Sequence, residues 1–140
     1  VNPPLAALVP HRPPMLLLDA LVAHDAVSAT CAVTVREGAM FVREGRVGAT
    51  VFVEYMAQCA AAFTGLRASS RGEPVRVGYL LGAREVTLHV DGAAVGDELT
   101  VRAELTFDDG AMAAFAGEVR DASGALLAAA ELQVWSGGVT

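Results

Sequence analysis

The stretch VGATVFVEYMAQCAAAFTG, residues 47–65, decides the fold. It is the most apolar run in the chain, and it holds a single carboxylate, Glu54, between Val51, Phe52 and Val53 on one side and Tyr55, Met56 and Ala57 on the other. Thr50 is suited to cap a helix, and SSRGEP downstream is a stop signal, so the spacing predicts a helix over 50–67. Its apolar residues fall on nearly every side. That is the pattern of a helix wrapped by other elements, not of one lying on a surface. An acid in such surroundings costs free energy unless it is paired, hydrogen-bonded or neutral. Glu54 is therefore read as a functional group, set against the plainer reading of an acid that ties the helix start to a backbone or arginine partner.

Outward from the helix the chain reads as strands. PPLAALVPHRPP is a short helical turn bounded by prolines, MLLLDALVAHDAV a first strand and SATCAVTVRE a second with alternating character. GAMFVREGRVGA, residues 38–49, reads as a loop. After the helix, VRVGYLLGAREVTLHV is a long strand and DGAAVGD a polar turn. ELTVRAELTFDD then alternates cleanly, DDG turns the chain into AMAAFAGEVRD, and ASG turns it into ALLAAAELQVW. Successive antiparallel strands after one apolar helix give an α+β domain over 1–140, its curved antiparallel sheet wrapped around the long central helix.

The 140 residues suit one domain; 54% are hydrophobic and 19% charged, which excludes a disordered chain. The apolar excess predicts a buried subunit interface. A net charge of −6, with every basic residue an arginine, argues against nucleic acid. No run is long and charge-free enough to span a bilayer, and the proline-rich start lacks the pattern of a secretory signal. Cys31 and Cys59 have no metal-ligand or redox spacing and read as buried thiols in a cytoplasmic protein. His11, His24 and His89 are too scattered for a metal site.

Three segments carry a resemblance. LVPHRPPMLLLDAL, residues 8–21, resembles the opening of the FabZ-type 3-hydroxyacyl-[acyl-carrier-protein] dehydratases, and EYMAQCAA, residues 54–61, resembles their helix motif. GYLLGAREVTLHVDGAAVGDELTVRAEL has the shape of a later segment, in the right order. The resemblance implies the hotdog fold, and within it the dehydratase-like branch of aryl-polyene pathways looks nearest, with its PHR opening and EYMAQ helix. It also implies removal of water from a 3-hydroxyacyl thioester of fatty-acid or polyene-lipid synthesis. That thioester rides on a phosphopantetheine arm, brought by an acyl carrier protein or coenzyme A, with no metal or other cofactor. A homodimer or higher oligomer, or a mixed dimer with an active dehydratase, is implied as well. The long strand around GYLLGAREV would otherwise be an open sheet edge.

In that family a histidine takes the C2 proton, a helix carboxylate handles the C3 hydroxyl, and N–H groups at the helix start polarise the carbonyl. Glu54 matches the carboxylate, and Gly48, Ala49, Thr50 and Val51 stand where the N–H donors belong. The family's GHFPG motif is missing: FVREGRVGATVFVE holds no histidine. Arg46, which occupies that neighbourhood, is no base; it is expected to contact the carrier, balance Glu54 or simply be solvated. His11 is the candidate replacement, set against a structural role in a rigid turn. Gln58, one turn beyond Glu54, is placed to hydrogen-bond it or to satisfy a subunit seam. Tyr55 points elsewhere on the helix, Asp19 reads as a structural acceptor, and Arg84 touches the carrier on resemblance alone. The acyl tunnel is expected along residues 56–63 and the loop before Thr50.

Three functions stay open at this point: a dehydratase with Glu54 as acid/base and His11 or water beside it; a thioester hydrolase, which needs only an accessible carboxylate; or a non-catalytic subunit that binds acyl chains or completes a partner. Fold alone does not separate them.

Overall fold

The structure, a computed structural model, describes residues 2–75 and 78–135. One long helix, α1 (Val51–Ser70), packs against a six-stranded antiparallel sheet. The strands are β1 (Ala20–His24), β2 (Ser28–Thr34), β5 (Tyr79–Leu88), β7 (Glu98–Asp108), β8 (Met112–Arg120) and β9 (Leu126–Trp135), in the order β1-β2-β7-β8-β9-β5. This is the hotdog fold. A smaller sheet, β3 (Val42–Arg43), β4 (Arg46–Gly48) and β6 (Gly92–Ala94), flanks the helix start.

Period-two patterning explains the large sheet. In β2 and β7 alternate residues point inward, so Ala29, Cys31 and Val33 are buried with Leu99, Val101 and Ala103 opposite them. Phe63 of α1 meets Phe115 of β8 edge-on, with ring centres 5.9 Å apart; burying each such ring is worth about 1.5–3 kcal/mol. Gly117 leaves the room that Met56 fills. At the helix's far end Gly65 lets the backbone of Leu8 lie directly on α1, which seats the N-terminal segment across it.

Turn chemistry closes the strands. Asp25 accepts from the Val27 and Ser28 N–H groups between β1 and β2. Asp109 accepts from Ala111 and Met112 between β7 and β8, and Asp121 from Ser123 and Ala125 between β8 and β9. The helix ends on Gly72, whose φ of 69° only glycine adopts cheaply. The Gly72 and Glu73 N–H groups turn back to the Ser69 and Ala68 carbonyls, a Schellman closure.

Four expectations need correcting. The first strand starts at Ala20, not at Met15, because the Leu17 N–H bonds to the Gln58 side chain instead of a neighbouring strand. Residues 38–49 are not a plain loop: Glu44 and Gly45, both at positive φ, turn β3 onto β4, and β4 pairs with β6. The helix runs three residues past Arg67. Thr50 makes no side-chain capping bond and is itself helical in φ and ψ. The long strand before DGAAVGD is β5, broken by two bulges; the start of its motif, at 76–77, lies outside the described residues.

The sheet does not enclose α1 fully. β2, β7 and β8 cover one side, while Glu54, Ala57, Ala61 and Thr64 are only partly covered on the other. β5 is an edge strand, and Tyr79, Leu80, Leu81, Val86 and Leu88 on it are exposed. Among the described residues no helix is long and apolar enough to cross a membrane.

Candidate active site

The open face of α1 forms one wall of a cavity of about 210 Å³. Residues 54, 57, 61 and 64 recur at helical spacing and face it together. The opposite wall comes from Gly78, Tyr79 and Leu80 at the start of β5 and from Ala113 and Val134 on β8 and β9. His11 reaches in from the N-terminal segment, placing its Nε2 3.9 Å from Glu54 Oε2. That separation is too long for a direct hydrogen bond and short enough for both groups to address one small substrate fragment.

Gln58 organises this corner. It is completely buried, and one turn along α1 its Nε2 donates to Glu54 Oε2 at 2.9 Å and to the Met15 carbonyl at 2.8 Å. Its Oε1 accepts from the Leu17 N–H at 2.9 Å. One side chain thus fixes the carboxylate and straps the segment that carries His11 to the helix. Oε2 of Glu54 is held while the carboxylate stays accessible, its side chain 37% exposed. The expectation of a desolvated acid is overturned for the single chain: the helix is apolar all round, but the sheet leaves Glu54's side open. His11 is 28% exposed at its side chain, and its Nδ1 is buried with no partner among the described residues.

The helix start differs from the expected row of four donors. The Ala49 N–H is taken by the Asp91 carbonyl at 2.9 Å, and those of Phe52 and Val53 close on Ala49 and Thr50. Gly48 belongs to β4, paired with Gly92. Among the described residues the N–H groups of Thr50 and Val51 are the ones left open at this end, as the missing side-chain cap allows. Arg46 does not balance Glu54; its guanidinium pairs with Asp91 at 2.9 Å, outside the cavity wall.

Other candidates sit elsewhere. Asp19 accepts from the Thr34 N–H and from Arg36, both at 2.8 Å, as a structural acceptor does. Tyr55 turns to the opposite side of α1, where burial, with the nearby Asp19 charge, raises its phenol above its ordinary value. His24, His89 and Arg84 are exposed and line no part of this cavity. Cys59 Sγ donates to the Ala29 and Val101 carbonyls, and the neighbouring Cys31 thiol together with burial pushes its own thiol far above its ordinary value, which keeps it un-ionised and unreactive. No cluster of three or more metal-binding side chains occurs among the described residues.

Within the expected span 56–63, Ala57 and Ala61 line the cavity. Met56 and Phe63 face the sheet, and the loop before Thr50 does not border the cavity. Counting in threes and fours from Glu54 identifies Ala57, Ala61 and Thr64; nothing local in the sequence marks Gly78, Ala113 or Val134.

The chain matches the ApeP-like family, described as ApeP dehydratase, over residues 3–138. Among solved structures it is similar to the dehydratase heterocomplex ApeI:P from Xenorhabdus doucetiae, with 27% identity, a TM-score of 0.91 and coverage of 97% of this chain and 92% of that one. It also resembles zebra fish thioesterase superfamily member 2 (15% identity, TM-score 0.64, 84% and 80% covered). A hypothetical thioesterase with coenzyme A from Streptococcus pneumoniae TIGR4 is similar as well (13%, TM-score 0.61, 82% of each chain). The last two likenesses establish the fold alone. No curated protein matches by sequence.

Proposed function

Because the chain belongs to the ApeP-like dehydratase family, we propose that it takes part in removing water from a 3-hydroxyacyl thioester, with His11 and Glu54 moving the two protons. The observation that carries this reading is the 3.9 Å approach of His11 Nε2 to Glu54 Oε2 at the wall of one cavity. The loop histidine of the FabZ-type dehydratases that the sequence resembles is missing, and the opening segment supplies an imidazole at the carboxylate instead.

The chemistry balances on this pair. His11 Nε2 takes the C2 proton, and the C2–H electrons form the C2–C3 double bond. The C3–O bond breaks, and the departing oxygen takes the proton of the Glu54 carboxyl to leave as water. The pair then differs from its starting state by one proton, which returns from His11 to Glu54 across the gap. As C2 loses its proton, negative charge builds on the thioester oxygen. The open N–H groups of Thr50 and Val51, one turn before Glu54, are the helix-start donors that would meet it if the thioester reaches past the cavity's own lining. With Nε2 as the accepting atom, the ring's hydrogen sits on Nδ1. That atom is buried and meets no acceptor among the described residues.

The thioester would arrive on a phosphopantetheine arm, whether of an acyl carrier protein or of coenzyme A, and no metal is needed. A second hotdog subunit fits the bare edge of β5, because Gly78, Tyr79 and Leu80 border the cavity and also begin that edge. The similar ApeI:P structure is a heterocomplex, and a dehydratase partner is the assembly proposed here in preference to a homodimer. Such a partner would close the cavity. One feature favours a second reading: the accessible Glu54 carboxylate admits water, as a thioester hydrolase requires.

The test is incubation with a short 3-hydroxyacyl pantetheine thioester, with and without a partner dehydratase, following enoyl product and free thiol together. Enoyl product that disappears in Glu54→Ala and His11→Ala supports the proposal. Free thiol without enoyl product moves the protein to the hydrolases. Silence in both channels from a folded assembly makes it a non-catalytic subunit.

A further inference from the structure

The cavity beside Glu54 has a neighbour along α1. Thr64 and Ala113 border it, and the same two residues border a second hollow of about 350 Å³ further along α1. That second space is of another character. Arg67 pairs with Asp108 at 2.9 Å across it, and the Arg67 guanidinium lies 5.6 Å from the centre of the Phe63 ring. Both members of the ion pair are about 30% exposed, at 31% and 29%. The two hollows thus follow one another along one helix face, the first walled by Ala57, Ala61, Leu80, Ala113 and Val134 and the second carrying the charged pair, with Arg71 and Glu73 also on its wall.

Resting on the thioester reading of the first cavity, we propose that Thr64 and the Arg67–Asp108 pair measure the acyl chain, Thr64 as the narrow point and the ion pair as the stop. From Glu54 to Thr64 the helix advances about 15 Å. At roughly 1.2 Å per bond of an extended chain, that is about twelve bonds beyond C3. Each methylene laid in the first hollow gains about 0.8 kcal/mol. A methylene pushed against the ion pair instead strips water from two charges, whose desolvation costs several kcal/mol per ion. The loss outweighs the gain at that point, so the chain stops there.

The experiment uses the full chain and saturated acyl-pantetheine amides from about six to eighteen carbons, which neither dehydrate nor hydrolyse, with binding followed by calorimetry. Affinity is expected to rise about threefold to fourfold per methylene and to level off once the chain reaches Arg67. Replacing both charges, Arg67→Leu with Asp108→Leu, should carry the rise further and gain roughly tenfold on the longest amide. Thr64→Leu, which keeps the ion pair, should bring the plateau to shorter chains and stands as the test should the double variant fail to fold. A plateau at the same length in the folded variants overturns the proposal. Turnover of the matching 3-hydroxyacyl thioesters separates it from the reading it rests on. Binding that obeys the ruler without turnover sinks only the dehydratase; turnover with a length profile blind to these residues sinks only the ruler.

Discussion

Gln58 and Glu54 are bonded side chain to side chain one turn apart, Nε2 to Oε2 at 2.9 Å, while the rest of the Gln58 amide is spent on the backbone of Met15 and Leu17. The carboxylate is thus aimed by a residue that also holds down the segment bearing His11. Gln58→Leu keeps the volume and removes all three bonds, leaving the half-buried Leu17 N–H and the Met15 carbonyl without their partner. Each costs about 1–3 kcal/mol, so the melting temperature is expected to drop by roughly 10 °C. Gln58→Glu should differ: it restores the acceptor for Leu17 but sets a second acid beside Glu54. Thermal melts of both variants check this, and a Gln58→Leu protein as stable as the parent would contradict the strapping role.

His11 and Glu54 are expected to act as a unit. Either His11→Ala or Glu54→Gln alone should lower enoyl formation by about 10²–10⁴-fold. The double variant should fall little further, because a proton relay lost at one member is already lost. Both side chains are partly exposed, so melting temperatures should stay within a few degrees of the parent. Rate constants that multiply across the double variant would show that the two residues work separately.

Much of this arrangement was legible in the chain. A run of 47–65 apolar on nearly all sides has to be wrapped, and the alternation in ELTVRAEL reappears as the buried and exposed faces of β7. What was hidden depended on distance or on unusual backbone. Glu44 and Gly45 make the β3–β4 turn at positive φ, between strands too short for any periodicity to register. β5 lies beside β9 and not beside its sequence neighbours, so no local pattern announces that Gly78 and Val134 share a wall. His11 could be named as a candidate but not placed, because its position depends on two distant seats, Leu8 on Gly65 and Met15 on Gln58. Glu54's exposure was misread for a related reason: composition shows that a helix is apolar all round without showing which side the sheet leaves bare.

Gly65→Ala is expected to be among the most damaging small substitutions. A methyl there runs into the Leu8 carbonyl, and backbone cannot swing aside as a side chain does. The cost should reach about 3 kcal/mol or more, and the displaced N-terminal segment would carry His11 away from Glu54. For Gly117→Ala the nearest atoms are those of the Met56 side chain, at 2.9–3.0 Å and farther off than the Leu8 carbonyl at Gly65, so it should cost less. Equal melting temperatures for the two variants would refute the distinction.

Acid should loosen the hairpins first. Asp25 is held below its ordinary value of 3.8 chiefly by the Val27 N–H, Asp109 by the Met112 N–H, and Asp121 by the Ser123 side chain. A depressed folded value means each contribution is fully present above pH 3.8 and is lost as pH falls through the folded value. Stability should therefore decline below about pH 4, and an Asp25→Ala, Asp109→Ala, Asp121→Ala triple variant should show a flatter decline from a lower starting point. Melting temperatures taken from pH 7 to pH 2 provide the comparison; parallel curves would deny these turns any part in the acid response.

The β5 edge should decide assembly and activity together. It runs ten residues with one side unpaired, and Leu81 is 56% exposed on it. The opposite edge, β1, is only five residues long, and Val22 is its exposed large apolar side chain. A long apolar edge invites another strand, whereas a short one does not. Leu81→Lys with Val86→Lys should therefore abolish association with a partner dehydratase, seen as a single-chain mass in sedimentation. Val22→Lys, a charge placed on the other edge, should leave the complex intact. Because β5 also begins the cavity wall, enoyl formation should vanish with the assembly although neither His11 nor Glu54 is touched. If the β5 variant still assembles, the interface lies elsewhere. If it comes apart but keeps its turnover, the cavity needs no second subunit.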